Sequence, residues 1–431
     1  MKTFQSTVIF LLAELSLVLA TSNGAVITCH SYEDFSWERI REIENASTHR
    51  IKEICPGDGE HKVSIEVRGS VKFLYEDSFK GIPKLRKIYV PKTNLEEIEP
   101  GTFKDLPQLD DVDLSKNNLQ EIKTGTFVNL RVGKVYLQRN SISVLQEGAF
   151  VNLSGVKEIN FEWNNLQELK RGIFQNVHVK HINLGSNNIS KIEVGMFAGV
   201  FPLDQDGIVL SFPNNSIAEI DASVFDYKHN IFSLSLSKNL ISVLRPGDLR
   251  NMPGLKEIVL QAENKLKQIP EGVFNGSKIE SINLDYNEIS FIASKAFDDM
   301  KHLRHISIEY NKLKKWDSNW FCGETPLWIA LSTNFLETIP AGAFTNIPEG
   351  STLKLDKNRI KSISDRAFSG VTRLEGIDLS YNKIKKWNVD ILKNVVVEDF
   401  VDFTGNKIKC PEDGLTTLAP KARRVDFDEC F

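Results

Sequence analysis

Apolar residues return along this chain at a fixed interval. The stretch from Leu374 to Trp387, LEGIDLSYNKIKKW, sets Leu374, Ile377, Leu379, Asn382 and Ile384 in the pattern LxxLxLxxNxI, and the same five positions recur through most of the sequence. Aligned on the asparagine, the units fall at Asn117, Asn140, Asn164, Asn187, Asn215, Asn239, Asn264, Asn287, Asn311, Asn334, Asn358, Asn382 and Asn406, with Ser70 and Thr93 in the same place upstream. The steps are 23 to 25 residues, apart from one of 28. Alternation in LxL predicts a short strand, because successive side chains on a strand point to opposite faces. Val112 and Leu114 then point inward, and Asp113 and Ser115 outward.

Ten residues past the anchor a second apolar signal recurs, at Phe103, Phe127, Phe150, Phe174, Phe197, Phe225, Phe274, Phe297, Phe321, Phe344 and Phe368, with Leu249 and Leu392 in its place elsewhere. These are expected to stack as an aromatic spine. No single unit can bury this set alone, so each must stack on its neighbours and the end units must be capped. The anchor amide both donates and accepts, which suits it to backbone groups where the chain leaves the strand. Trp316 and Trp387 stand five after their anchors, where other units place Ile or Leu, and are expected in the core.

Fifteen such units resemble the leucine-rich repeat in its extracellular form of roughly 24 residues, over Val63 to about Lys409. The fold this implies is an α/β solenoid, a horseshoe with a concave parallel β-sheet and an irregular, phenylalanine-lined convex side. The expected division is a signal peptide over 1–20, an amino-terminal cap over 21–62, a solenoid of about fifteen repeats over 63–409 and a carboxyl-terminal cap over 410–431. The long step carries the insertion VFPLDQD between Gly199 and Gly207, expected to bulge from the rim before the strand containing Leu210 and Phe212. It is either a contact loop or a tolerated insertion, and tolerance is the usual outcome on a solenoid.

Composition narrows the picture. At 41% hydrophobic and 26% charged the chain has the make-up of an ordered protein, and a net charge of -4 with pI near 6.1 leaves no electrostatic footprint for nucleic acid. Lys2, the apolar run from Val8 to Leu19 and Ala20 read as a signal peptide. Glu14 interrupts that run and leaves a short uncleaved anchor as the alternative. The run is too short to span a bilayer, and the ending VDFDECF lacks an apolar tail for a lipid anchor. A secreted chain without a membrane span is expected, and the N-x-S sequons at Asn45, Asn152, Asn188, Asn214 and Asn275 fit glycosylation there. Asn152 and Asn275 fall on the convex segments, and a glycan on Asn214 would crowd the concave rim.

Cysteine placement follows the ends. Cys29 and Cys55 bracket the segment before the first repeat and are read as a disulfide closing the amino-terminal cap, with two free buried thiols as the alternative. Cys410 and Cys430 suggest a second closed cap. Cys322 is left over, either linking two chains into a disulfide-bonded dimer or lying buried as a small apolar residue.

Catalytic signatures are missing: the chain has no HExxH, GxSxG, GxxxxGK[ST] or CxxC. The pairs His178/His181 and His302/His305 fall at one phase of the repeat without a cysteine or carboxylate at ligand spacing. No enzyme activity, cofactor or metal is expected, which leaves the concave surface. Its first units mix Arg86, Lys87, Lys92, Lys134 and Arg139 with Asp110, Asp111 and Asp113, and Tyr89 and Tyr136 stand among them. Ser211, Ser233, Ser235 and Ser237 follow. Further on, Tyr286, Tyr310 and Tyr381 share one row beside a row holding Asp285, Glu309 and Asp356, and His305 and Trp328 share another. Exposed aromatics with carboxylates are the composition of interface anchors, so these eight residues are the candidate partner-binding set. The plainer alternative is that a tyrosine before the anchor covers its neighbour's backbone and that Asp378 and Asp402 only solvate the sheet. The resemblance, to a group that includes Toll-type ectodomains, Slit, chaoptin, connectin and the secreted leucine-rich immune proteins of insects, implies recognition of a protein or large glycan. Innate immune recognition is the first reading and an extracellular matrix or adhesion component the second.

Overall fold

The computed structural model describes residues 25–33, 36–44, 62–82, 84–225, 231–249, 252–297, 300–321, 325–408 and 418–428. The alternating units become strands that pair in parallel, one per repeat, within a 20-stranded sheet among the described residues. The inward residue of each unit meets its counterpart in the next: Ile65, Ile88, Val112 and Val135 are aligned, and the same register runs through Ile282, Ile306 and Ile329 to Val401. All of these are fully buried. The period-2 pattern thus puts a continuous apolar row under the sheet and leaves the alternate row open.

The ladder runs one strand past the expected boundary at Lys409. Ala422–Asp426 pairs in parallel with Val396–Asp402, placing Val425 opposite Val401 and Asp426 opposite Asp402. At the other end β1 (Val26–Glu33) lies between β2 (Ser36–Glu44) and β3 (Lys62–Arg68), antiparallel to both. Ile27 faces Val67 and Cys29 faces Ile65, so this hairpin covers what would be an open sheet edge. Cys29 is disulfide-bonded. The signal-peptide segment 1–20, Asn45, Cys55, Cys322, Cys410 and Cys430 lie outside the described residues.

The phenylalanine spine is present and begins one unit earlier than the sequence reading, at Phe79. Ring centroids are 5.5 Å apart from Phe79 to Phe103, 4.9 Å from Phe103 to Phe127, 5.0 Å from Phe127 to Phe150 and 5.3 Å from Phe150 to Phe174. In three units the spine and the concave strand form one strand: Phe127–Tyr136, Phe150–Asn160 and Phe174–Asn183. Among the described residues helix is limited to short 3-10 turns such as Ala222–Val224 and Val389–Ile391, so the irregular convex side is mostly strand and turn. Close packing there requires Gly199, where a Cβ would lie 2.1 Å from the Phe174 carbonyl oxygen. The insertion precedes the strand Ile208–Ser211 as expected, but it does not simply bulge. Val200–Pro202 pairs with Val177 to Val179, and Lys180 holds the following turn through Asp204 at 3.4 Å and Asp206 at 3.1 Å.

Each anchor asparagine ties two units together. Asn164 is representative: its Nδ2 donates to the Phe161 carbonyl at 2.9 Å and to Leu137 of the preceding unit at 3.0 Å, while its Oδ1 accepts from the Ile142 N–H at 3.0 Å. The residue before the anchor turns the chain with a left-handed backbone, as at Lys116 (φ 58°), Arg139 (φ 59°), Tyr286 (φ 55°) and Tyr310 (φ 53°). That conformation costs a non-glycine residue about 1–2 kcal/mol, and the asparagine bonds and the strand ladder offset it. Trp316 is a core residue and Trp387 is half-buried against the core, their indole N–H groups donating to the carbonyls of Ala343 at 2.7 Å and Leu418 at 2.9 Å.

Candidate binding face

Strand register brings His305 and Trp328 into one row on the concave side with Thr352, Gly376 and Phe400. The row beside it holds Ser307, Ala330, Lys354, Asp378 and Asp402. Trp328 is 41% exposed and lies near-parallel to the His305 ring, at 6.4 Å and 14°. The Lys354 ammonium sits 5.9 Å from the Trp328 ring centre, 4.9 Å from that of Phe400 and 2.9 Å from Asp378 Oδ2. Phe400 reaches across because Gly376 is bare: a Cβ there would lie 2.5 Å from Phe400 Cε1. Arg424 approaches the same ring at 5.5 Å. Lys354 and Phe400 are absent from the set read from sequence, and the signal that could have found them is a glycine in a concave-side row one unit before an aromatic.

The carboxylates of this half are held by serines. Asp285 is 8% exposed, and its Oδ1 accepts from Ser307 Oγ at 2.6 Å and from the Glu309 N–H at 2.7 Å. Ser332 Oγ donates to Asp356. Burial pushes the Asp285 carboxyl above the usual carboxylate range, with the Ser307 hydrogen bond opposing it. Burial does the same to Glu309, helped by the neighbouring charges of Asp285 and Asp356. Burial lowers His305, which favours the neutral imidazole. The Oδ1 of Asp285 is therefore engaged inside the protein, and what the face offers a partner is chiefly rings and the Lys354 ammonium. Among the described residues no group of three or more His, Cys, Asp and Glu side chains is placed to hold a metal ion.

The tyrosines divide. Tyr286 and Tyr310 stack at 4.1 Å and 9°, and both are exposed. Their left-handed backbone swings them off the sheet and onto the rim. Tyr381 does not join them: two units, contributing Thr333 and Lys357, intervene. A Cβ on Gly405 would lie 2.6 Å from Tyr381 Cδ1, so this ring covers its neighbour's backbone. In the first units the charges mostly satisfy one another, Arg86 with Asp110 at 2.5 Å and Lys87 with Asp111 at 3.5 Å. Of the sequons, Asn188, Asn214 and Asn275 are exposed. Asn152 is exposed too but belongs to a convex amide ladder, donating to Asn129 Oδ1 at 2.9 Å and accepting from Asn176 Nδ2 at 3.0 Å. A glycan there would share an amide already in use in that ladder.

A parallel sheet of stacked units, with asparagine rungs at most turns, defines a repeat solenoid. Family models agree: the BspA type leucine rich repeat region matches residues 32–154, 72–204 and 133–246, and a second leucine rich repeat model matches residues 254–313 and 327–384. The chain belongs to the leucine-rich repeat proteins. It is 31% identical to keratocan of Gallus gallus over 133 residues, which are 29% of this chain and 37% of that protein. It is 29% identical to Tsukushi-A of Xenopus laevis over 104 residues, 23% of this chain and 30% of that protein. The match thus spans about a third of those relatives' length. Among solved structures, the glycosylated Toll–Spätzle complex of Drosophila aligns over 82% of this chain and 52% of that chain, at 20% identity and a TM-score of 0.58. A leucine-rich repeat protein of Bacteroides eggerthii aligns over 82% and 61%, at 17% identity and a TM-score of 0.57. At such identities the likeness is one of fold. No helix among the described residues is long and apolar enough to cross a membrane.

Proposed function

We propose that this protein is a secreted recognition protein that binds a protein or large glycan partner through the concave face of its second half, in innate immune recognition. The observation that carries the binding role is the strip His305, Trp328, Lys354 and Phe400, in which rings and a cation are held in fixed positions on the open sheet. Rings of this kind contribute most of the energy at interfaces, and packing does not explain a Trp328 that is 41% exposed. An open sheet lined by acceptors already satisfied by serines supports binding over catalysis. The immune reading leans on the likeness to the Toll chain, whose complex with Spätzle is described as a molecular hub in Drosophila development and innate immunity.

The test is to change Trp328 and Phe400 together to Ser, compare the melt with the parent, and measure capture of extracellular partners by both purified proteins. An unchanged melt with capture reduced at least about tenfold is expected, the size of one or two interface anchors. Undiminished capture by a folded variant would remove the site from this strip.

A further inference from the structure

The rim beside the stacked tyrosines is a groove of about 700 Å³. It exists because the turn from Leu260 to Asn264 is one residue longer than the corresponding turns on either side, Leu236 to Asn239 and Leu284 to Asn287, and Ala262 (φ 58°) and Glu263 (φ 54°) both take left-handed backbone. The extra residue also breaks an asparagine rung. Asn287 lines the groove, is 7% exposed, and its Oδ1 has no hydrogen-bond partner, whereas the same oxygen in the next unit, on Asn311, accepts from the Ile289 N–H at 2.9 Å. The groove therefore combines an exposed pair of parallel rings with a buried, unserved acceptor beneath them.

Its charge is close to balanced. Lys312 is paired with Glu288 at 3.3 Å, which leaves Lys238, Lys265, Glu263 and the Gln261 amide among the groove's lining. A polyanion or a polycation would want one sign; hydroxyl groups want donors and acceptors of both kinds. The flat C–H face of a pyranose fits an aromatic face, and its hydroxyls reach outward to such groups. We infer that this rim groove binds a neutral saccharide, with one sugar ring on the Tyr286–Tyr310 platform and its hydroxyls on Gln261, Lys238, Lys265 and Glu263. The site stands apart from the concave strip, and its test shares no residue with that strip, so either reading can fail alone.

The experiment is isothermal titration of the full chain with neutral β-linked hexose and N-acetylhexosamine oligosaccharides, with their sulfated counterparts and with a lysine-rich peptide. Saturable binding of a neutral oligosaccharide is expected, weakened at least about tenfold in the double variant Tyr286→Asn, Tyr310→Asn, since asparagine tolerates the left-handed backbone. Tyr286→Phe should keep the platform and most of the affinity. Lys265→Ser, on an exposed residue, reads the same contact without touching the stack. No binding of any neutral oligosaccharide at about 1 mM overturns the inference. So does affinity equal to the parent's in both the double and the Lys265 variant. Binding confined to the sulfated probes and lost on adding salt, or confined to the peptide, overturns it in favour of a charged partner.

Discussion

The asparagine rungs make a prediction with its own internal control. Replacing Asn164 by Ala removes bonds to the Leu137 and Phe161 carbonyls and from the Ile142 N–H. The two carbonyls keep a partner, because Asn140 Nδ2 also donates to Leu137 and Asn187 Nδ2 also donates to Phe161, each at 3.0 Å. Only the Ile142 N–H, on a fully buried residue, is orphaned. The cost is then that of one unserved buried donor, about 1–3 kcal/mol, and not three times as much. At Asn287 the same substitution orphans nothing: Leu260 keeps Asn264 Nδ2 at 3.2 Å, Leu284 keeps Asn311 Nδ2 at 3.0 Å, and the Oδ1 had no donor to lose. Its cost should stay below about 1 kcal/mol. Urea unfolding of the two variants, with the slope unchanged, should show a clearly lower midpoint for Asn164→Ala only. Hydrogen exchange at the Ile142 amide should quicken in the same variant. Equal loss at the two positions, or a larger loss at Asn287, would refute the claim that the rung works through the preceding unit's N–H.

Phe150 is fully buried between Phe127 and Phe174, at 5.0 and 5.3 Å, with Phe161 edge-on at 5.7 Å. Phe150→Ala should cost about 3–5 kcal/mol by leaving a cavity, and a thermal midpoint equal to the parent's would contradict the spine. The Glu309 carboxyl is raised by burial and by Asp285 and Asp356, so between the ordinary carboxylate range and its folded value the native chain holds more protons than the unfolded one. Its contribution to stability therefore falls as pH rises through that window. Glu309→Gln should stabilise the protein near neutral pH and lose that advantage in mild acid. His305, lowered by burial, works in the opposite sense, but it is common to both proteins and cancels in the difference. A Gln variant with the same advantage at both pH values would show that Glu309 does not titrate with a raised pKa.

The period of the chain carried most of the fold. An anchor every two dozen residues, an LxL before it and a phenylalanine ten residues after it fix strand, turn and spine together, because each signal is satisfied only by stacking on the next unit. Two departures have local causes. The ladder continues through Ala422–Asp426, beyond the last anchor, because a strand needs only the alternation that places Val425 opposite Val401. The insertion after Gly199 begins as a strand because Val200–Pro202 finds the free edge of Val177 to Val179.

The binding face was less legible, for a physical reason. Register assigns each exposed residue to a row, but how far its side chain reaches depends on what the adjoining unit leaves empty. Gly376 opens the space that lets Phe400 lie toward Lys354, and Gly405 opens the space into which Tyr381 folds. One vacancy builds a strip of rings around a cation, and the other lets Tyr381, still 58% exposed, lie over its neighbour's backbone apart from the Tyr286–Tyr310 stack. Asp285 is the converse case: its row is open, yet Ser307 and the Glu309 N–H close on its oxygen, so an exposed position holds a buried carboxylate. On a solenoid the side chain on the open face and the residue in the adjoining unit must therefore be read as a pair. A glycine one unit before a ring lets it reach back, as Gly376 does for Phe400, and a serine one unit after a carboxylate takes up its oxygen, as Ser307 does for Asp285.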